Sequence, residues 1–337
     1  MGTNPAHTRA AARFALRTVW RLRNPASYSR FVIVIAALLI GCGGGKASSP
    51  PPILVGIGDQ DPATFSDPHF AELGIRRARI VAPWNVALSP PDRLYLDGWL
   101  RAARAARVEP LVHFGAATGT HCPDNPCPLP TAGQYSHAFQ AFRRRWPAVR
   151  TLGAWNEANQ RAQPTFRHPE RAAEYFNVIR RSCRGCQVVA ADVLDDPNMV
   201  DWVRAFRRQA RGPRIWGLHN YRDINPRPGQ IYGGTRRLLS VTRGPVWLTE
   251  TGGIVKFVLP NGHSALPPSE PRADRATKRL FALAKRYRRR IRRVYLYNWR
   301  APIPQNRFDS GLLRNDGTPR PAYSTVKRTL ARRDFAP

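Results

Sequence analysis

From Ile53 onward the sequence alternates short apolar runs with longer amphipathic stretches, and this alternation narrows the fold more than any other feature. Eight runs read as strands: ILVGIGD at 53–59, RARIVAPW at 77–84, EPLVHFGA at 109–116, RTLGAWNE at 150–157, QVVAADV at 187–193, RIWGLHNY at 214–221, PVWLTETG at 245–252 and RRVYLYNW at 292–299. Between them lie stretches such as DRLYLDGWLRAARAAR, YSHAFQAFRRRW and PERAAEYFNVIRRS, and PAYSTVKRTLARR follows the last strand. Their apolar residues recur at three and four, the period of a helix buried on one face. Strands alternating with helices imply a parallel sheet covered by helices, an α/β fold. Eight such units over roughly 285 residues match a single (β/α)8 TIM barrel. A doubly wound open sheet is the competitor, but it would carry a glycine-rich phosphate loop after an early strand, and GIGDQDPA lacks that spacing. With 337 residues, 42% of them apolar, the chain has material for one large barrel or two average domains.

A barrel of this kind builds its active site at the C-terminal ends of its strands. Those ends carry Asp59, Trp84, His113, Asn156 with Glu157, Asp192, His219 with Tyr221, Glu250 and Trp299, after core-type aliphatic residues. A charge at the edge of an apolar core costs free energy unless it is paired. Glu157 ends strand four and Glu250 ends strand seven, so the two face each other across the mouth. Paired carboxylates over a cleft are the parts of a glycosidase: one is protonated to release the leaving oxygen, and the other is ionised to attack or to activate water. In the retaining version the pair stands about 5–5.5 Å apart, and the ionised member raises the pKa of its partner.

AWNEAN on strand four with WLTETG on strand seven resembles the clan A glycoside hydrolases, barrel enzymes that include cellulase-like and β-xylosidase-like families. The likeness covers essentially all of residues 53–337. It implies that Glu157 is the acid/base, Glu250 the nucleophile, Asn156 the partner of the sugar hydroxyl next to the reacting carbon, and Arg79 the arginine that steadies the nucleophile. GLHNY offers His219 and Tyr221, which point the same way in a regular strand. By the same resemblance Tyr221 hydrogen-bonds Glu250 and Trp299 forms the floor beneath the sugar. GLLRNDGTPRPAY also resembles the clan's stretch after strand eight.

Each position alone admits a plainer reading. Glu250 could cap a helix, Arg79 could be a salt-bridged barrel residue, and His113 and His219 could be satisfied core or rim histidines. Trp84, like Phe114 and Trp155, is either packing or an aromatic face for a sugar ring. Strict alternation also sends Asn156 and Glu157 to opposite faces, so the strand is expected to twist or bulge at its last residue.

The N-terminus reads as an export signal. Arginines up to Arg30 precede FVIVIAALLIGC, whose ten or eleven apolar residues suit a signal core and fall short of the ~20 needed to span a bilayer. LIGC at 39–42 resembles the bacterial lipobox, which implies lipidation of Cys42. The alternatives are an ordinary signal peptide or an uncleaved anchor. The expected organisation is therefore a signal segment at 1–42, a flexible linker at 43–52 rich in Gly, Ser and Pro, and the barrel at 53–337.

The four remaining cysteines form two local pairs, Cys122 with Cys127 and Cys183 with Cys186, which read as disulfides in an oxidising compartment. A redox role for CRGC would need a thioredoxin-like context. A zinc site at HCPDNPC, with His121, would need a second ligand pair.

The 54 Lys and Arg against 22 Asp and Glu give +32, a balance that attracts nucleic acid, anionic polymer or an acidic membrane surface. The excess is spread along the whole sequence, mostly on helix surfaces, and reads as solvated faces with anionic wall polymer or acidic sugars as the alternative partner. No nucleic-acid partner is expected.

The sequence thus predicts an exported, lipid-anchored, monomeric retaining glycosidase acting on carbohydrate, with neither metal nor cofactor, because carboxylates alone supply acid, base and nucleophile. The rival from another class is a non-catalytic carbohydrate-binding or wall-binding lipoprotein on the same scaffold.

Overall fold

A computed structural model describes residues 50–337 of the chain, apart from 121, 123–126, 228, 230, 231 and 304. The expected signal segment with Cys42, most of the linker and His121 lie outside the described residues.

The eight expected strands are present as β1 (Ile53–Gly58), β2 (Arg77–Pro83), β3 (Glu109–Gly115), β4 (Thr151–Gly153), β5 (Gln187–Leu194), β6 (Ile215–His219), β7 (Val246–Thr251) and β8 (Ile291–Tyr297). Each pairs in parallel with the next, and β8 pairs back onto β1 from Leu54 opposite Arg293 to Gly58 opposite Tyr297, which closes the barrel. The helices that follow the strands are α1 (Pro68–Leu73), α2 (Pro90–Ala105), α3 (Ala132–Arg145), α4 (Pro169–Ser182), α5 (Met199–Gln209), α6 (Gly234–Val241), α7 (Glu270–Arg286) and α8 (Pro321–Leu330). Proline opens α1, α2, α4 and α8, where its fixed φ suits the first turn and its missing N–H goes unneeded. Thr131 and Gln134 form a reciprocal capping box at α3.

Alternation along the strands divides two cores. On β3, Val112 and Phe114 point outward, and Phe114 meets Phe139 and Phe142 of α3 edge-on, while Leu111 and His113 point into the barrel. Burying each such aromatic contributes about 1.5–3 kcal/mol. The lower barrel interior is filled by Leu111, Val189, Trp247 and Tyr295. Arg293 lies 4.1 Å over the Trp247 ring and donates to Glu109 and Gln187, closing that end. The upper interior is polar.

Two departures from regular strand geometry aim residues at the mouth. The β5–β6 register shifts between Val189 and Asp192, so both residues face inward although three positions apart. β4 stops at Gly153, so Asn156 and Glu157 lie beyond the strand rather than on it. The expected bulge at Glu157 is replaced by a turn in which Glu157 adopts the left-handed region at φ 48°. The Asn156 N–H donates to the Phe114 carbonyl at 2.7 Å and the Ala158 N–H to the Asp192 carbonyl at 2.9 Å, pinning Glu157 between the ends of β3 and β5. For a residue other than glycine this conformation costs about 1–3 kcal/mol and persists only where its surroundings hold it.

The cysteines pair as expected: Cys122 with Cys127, and Cys183 with Cys186 across the link from α4 to β5, each at disulfide distance.

Candidate active site

Arg79 on β2 is fully buried and organises the upper barrel. Its guanidinium donates to Glu250 Oε2 at 2.9 Å, to Asp192 Oδ2 at 2.9 Å, to Asn156 Oδ1, and through Nε to His113 Nδ1 at 2.9 Å. Because His113 Nδ1 accepts, its proton is on Nε2, which faces Asp192 Oδ2 at 3.5 Å. Burial drives the His113 pKa down to about 3, so this ring is neutral.

His219 behaves oppositely. Burial disfavours its charge, but the Asp192 and Glu250 carboxylates and its hydrogen bonds to Asp192 and Glu157 outweigh that and raise its pKa to about 10. It is an imidazolium, donating from Nε2 to Asp192 Oδ2 at 2.9 Å and from Nδ1 to Glu157 Oε1 at 3.0 Å. Burial likewise opposes the charge on Asp192, yet His113, His219 and Arg79 hold its carboxyl well below the usual range. Thr249 also donates to it. Two glycines make room: a Cβ on Gly153 would lie 1.6 Å from the His113 ring, and one on Gly217 would lie 2.1 Å from Asp192 Oδ1.

Above this layer the carboxylates of Glu157 and Glu250 converge. A carboxylate oxygen from each and a His219 ring nitrogen lie within 4.8 Å of one another. Their surroundings differ. Glu250 accepts from Arg79 and, at 3.1 Å, from the Tyr221 hydroxyl, whose own pKa burial pushes well above 10 so that it stays a donor. Burial raises the pKa of Glu157, only partly offset by the His219 hydrogen bond, and the charge of Glu250 pushes it further up. Gln160 donates to its other oxygen at 2.7 Å. With Arg79 and His219 positive, Asp192 and Glu250 negative and His113 neutral, the buried charges balance when Glu157 carries a proton. The same trio is the donor set that could hold a cation among the described residues, but both His219 nitrogens already donate to carboxylates and Arg79 is adjacent, so the site contains its cations as side chains.

The two glutamates open into a cleft of about 430 Å³, of the size that receives small ligands. Its walls include Tyr221, Phe257, Leu266, Tyr297 and Phe308. Phe257, Leu266 and Phe308 come from a small antiparallel sheet of Lys256–Val258, Ser264–Leu266 and Phe308–Asp309 laid over the mouth.

Two expected positions are placed otherwise. Trp299, expected as the sugar floor, is 1% exposed and outside this cleft; its indole donates to Asp67 and packs edge-on against Phe70 and Tyr323. Tyr297, two residues earlier at the end of β8, is the aromatic that lines the cleft beside Glu157 and Glu250. Trp84 is half-buried, stacks near Tyr135 of α3, and is not part of the cleft wall. Tyr221 reaches Glu250 as expected, but β6 has ended at His219 and Tyr221 opens a four-residue helix, Tyr221–Ile224. Asp59 ties the end of β1 to β8 by accepting from the Trp299 N–H at 2.7 Å, and burial raises its pKa to about 6.

No family model matches the chain, and no curated protein does. Solved structures do. A family 39 glycoside hydrolase from the gut symbiont Bacteroides cellulosilyticus WH2 superposes with a TM-score of 0.57 at 17% identity, covering 83% of this chain; this chain spans 63% of that one's length. A monomeric beta-xylosidase from Caulobacter crescentus CB15 gives 0.60 at 14% identity, covering 84% and 69%. A xylanase from Paenibacillus barcinonensis gives 0.60 at 12% identity, covering 83% and 98%. At such identities the likeness establishes the (β/α)8 fold that this chain shares with glycoside hydrolases.

Proposed function

We propose that the protein is a retaining glycosidase acting on an oligosaccharide or polysaccharide outside the cytoplasm. The observation that carries the reading is the pair formed by Glu157 and Glu250, whose oxygens approach within 4.8 Å over one cleft while burial raises the pKa of Glu157 and Glu250 accepts from Arg79 and Tyr221. That approach is of the order of the ~5–5.5 Å of retaining enzymes and shorter than the ~6.5–9.5 Å of inverting pairs. In the first step a Glu250 oxygen attacks the anomeric carbon as the glycosidic bond breaks, and the Glu157 proton passes to the departing oxygen. In the second, Glu157 takes a proton from water as the water oxygen attacks the same carbon, and Glu250 leaves as carboxylate. Arg79 and Tyr221 hold Glu250 in position for both, and Asn156, its amide oxygen fixed by Arg79, offers its N–H2 to the sugar hydroxyl next to the reacting carbon. Tyr297 takes the role of aromatic floor.

The paired cysteines support an oxidising compartment, and the apolar run before Cys42 supports export with a lipid anchor; the barrel is read as a monomer.

Similar solved structures include a β-xylosidase and a xylanase, so aryl β-xylosides head the substrate panel. Release of the aryl group by the wild type, lost in both Glu157→Gln and Glu250→Gln, supports the proposal. Sugar binding without turnover across the panel refutes it in favour of a non-catalytic binding protein.

A further inference from the structure

The positive charge that is spread along the sequence is divided unequally between the two ends of the barrel. A barrel has two ends, and each strand enters at one end and leaves at the other. The segments that run from a helix or its end into the next strand, together with the stretch after α8, hold twelve arginines and a single acid, Asp334. Every one of the eight contributes, among them Arg76, Arg107, Arg150, Arg184, Arg214 and Arg243, all exposed. The segments at the opposite, catalytic end hold ten acids and nine bases.

Compensation of helix dipoles accounts for basic residues in the last turn of a helix, and six of the eight helices end that way. Beyond the helices, Arg290 serves the same purpose by donating to the Leu239 and Thr242 carbonyls at the end of α6, but helix ends do not account for the other arginines of the twelve. Among the described residues, the only ion pair any of the twelve makes is between Arg288 and Asp334. Between the ends of α2 and α3 the same face has a groove of about 760 Å³, lined by Arg101, Arg104, Arg107 and Arg145, by the acids Asp97, paired with Arg145, and Glu109, and by apolar Leu100 and Pro147.

This face is also where the preceding chain joins the barrel. Pro50 lies just before β1, and its carbonyl accepts from Arg288 at 2.9 Å. The 49 residues before it include the apolar run that ends at Cys42. A single hydrophobic or acyl anchor holds a protein to a membrane only marginally, and a polybasic patch beside it supplies the second signal.

We propose that the arginine-rich end of the barrel docks on an anionic phospholipid surface, which turns the catalytic mouth away from the membrane. The occupant is a membrane rather than a nucleic acid because the described residues begin at this face, at Pro50, downstream of the apolar run read above as an export anchor. The inference rests on the export-anchor reading proposed above and not on which reaction the cleft performs.

Full-length protein is sedimented with phosphatidylcholine vesicles and with vesicles containing about 30% phosphatidylglycerol, at low salt and at about 0.5 M salt. The anchor segment is common to all variants, so differences report the face. The wild type is expected to prefer the anionic vesicles and to lose that preference at high salt. An arginine near an anionic surface contributes roughly five-fold in partitioning, so the triple variant Arg184→Glu, Arg214→Glu, Arg243→Glu is expected to lose a hundred-fold or more. Arg161→Glu, Arg167→Glu, Arg307→Glu changes the net charge equally at the catalytic end and is expected to lose little. Equal partitioning onto both vesicle types, equal losses in the two triple variants, or displacement of the wild type from anionic vesicles by duplex DNA at matched phosphate each overturns the proposal. All six positions are exposed, so both variants keep the wild-type melting temperature.

Discussion

The assignment of His219 as a buried cation makes a quantitative prediction about stability. In the unfolded chain an imidazole titrates near 6.5, whereas in the fold the neighbouring carboxylates raise His219 to about 10. Between those values the native state holds one proton more than the unfolded state. Stability conferred by His219 is therefore complete below about pH 6.5 and is lost as pH rises towards 10, with a slope of about −1.36 kcal/mol per pH unit. Integrated from pH 7.5 to 9.5, the loss is about 2.5 kcal/mol. Guanidinium unfolding of the wild type and of His219→Gln is measured across this range, and the two curves are subtracted so that tyrosines, lysines and raised carboxyls such as Asp195, held near 7, cancel. The wild type is expected to lose stability relative to His219→Gln by that amount as pH rises. Parallel curves mean that His219 is neutral in the native state, and the charge balance that leaves the proton on Glu157 is then wrong.

Three further outcomes test other contacts. Tyr221→Phe removes the hydroxyl that donates to Glu250 at 3.1 Å; a hydrogen bond to a charged group is worth about 1.5–3 kcal/mol, so kcat/KM is expected to fall about ten- to a hundred-fold with little change in melting temperature. Tyr297→Ala and Trp299→Phe are expected to part company: the first raises KM through the cleft, while the second leaves KM unchanged and lowers the melting temperature by loosening the contact with Asp67 and Phe70. Gly153→Ala drives a methyl into the His113 ring; overpacking of this kind costs about 1–3 kcal/mol and is expected to appear as a thermal melt lowered by several degrees, whereas an unchanged melt contradicts the packing described.

The barrel was legible because it is written in a repeating pattern. Eight aliphatic runs such as VVAADV and helices such as PERAAEYFNVIRRS, found at 169–182 as expected, need only periodicity to be seen. Glu157 and Glu250 were singled out by strand position and Arg79 by the clan A resemblance, and the structure brings all three to one place.

What the sequence concealed depends on where a strand stops. β4 ends three residues before Asn156, so the clash between alternation and a shared cleft disappears, and no local propensity signals that the chain turns there through a left-handed glutamate. Trp299 was expected as the floor from the clan A resemblance, but β8 ends at Tyr297 and the chain beyond it folds back into the seam with β1. Asp192 stood out as a strand-end acid without a stated role; its place at the centre of the charge cluster depends on a register shift in β5 that alternation alone misplaces. The one-sided arginine face was hidden for a similar reason. Residues far apart in sequence share that end only once the eight strands are threaded in the same direction.

The central claim, that Glu157 and Glu250 divide the work of a double displacement, is tested most directly by the anomeric configuration of the first product formed. A cleaved aryl glycoside followed by proton NMR within the first minutes is expected to yield a sugar with the same anomeric configuration as the substrate, drifting later to the equilibrium mixture. First appearance of the opposite anomer would show that water, and not Glu250, attacks the sugar, and the account would fail at its centre.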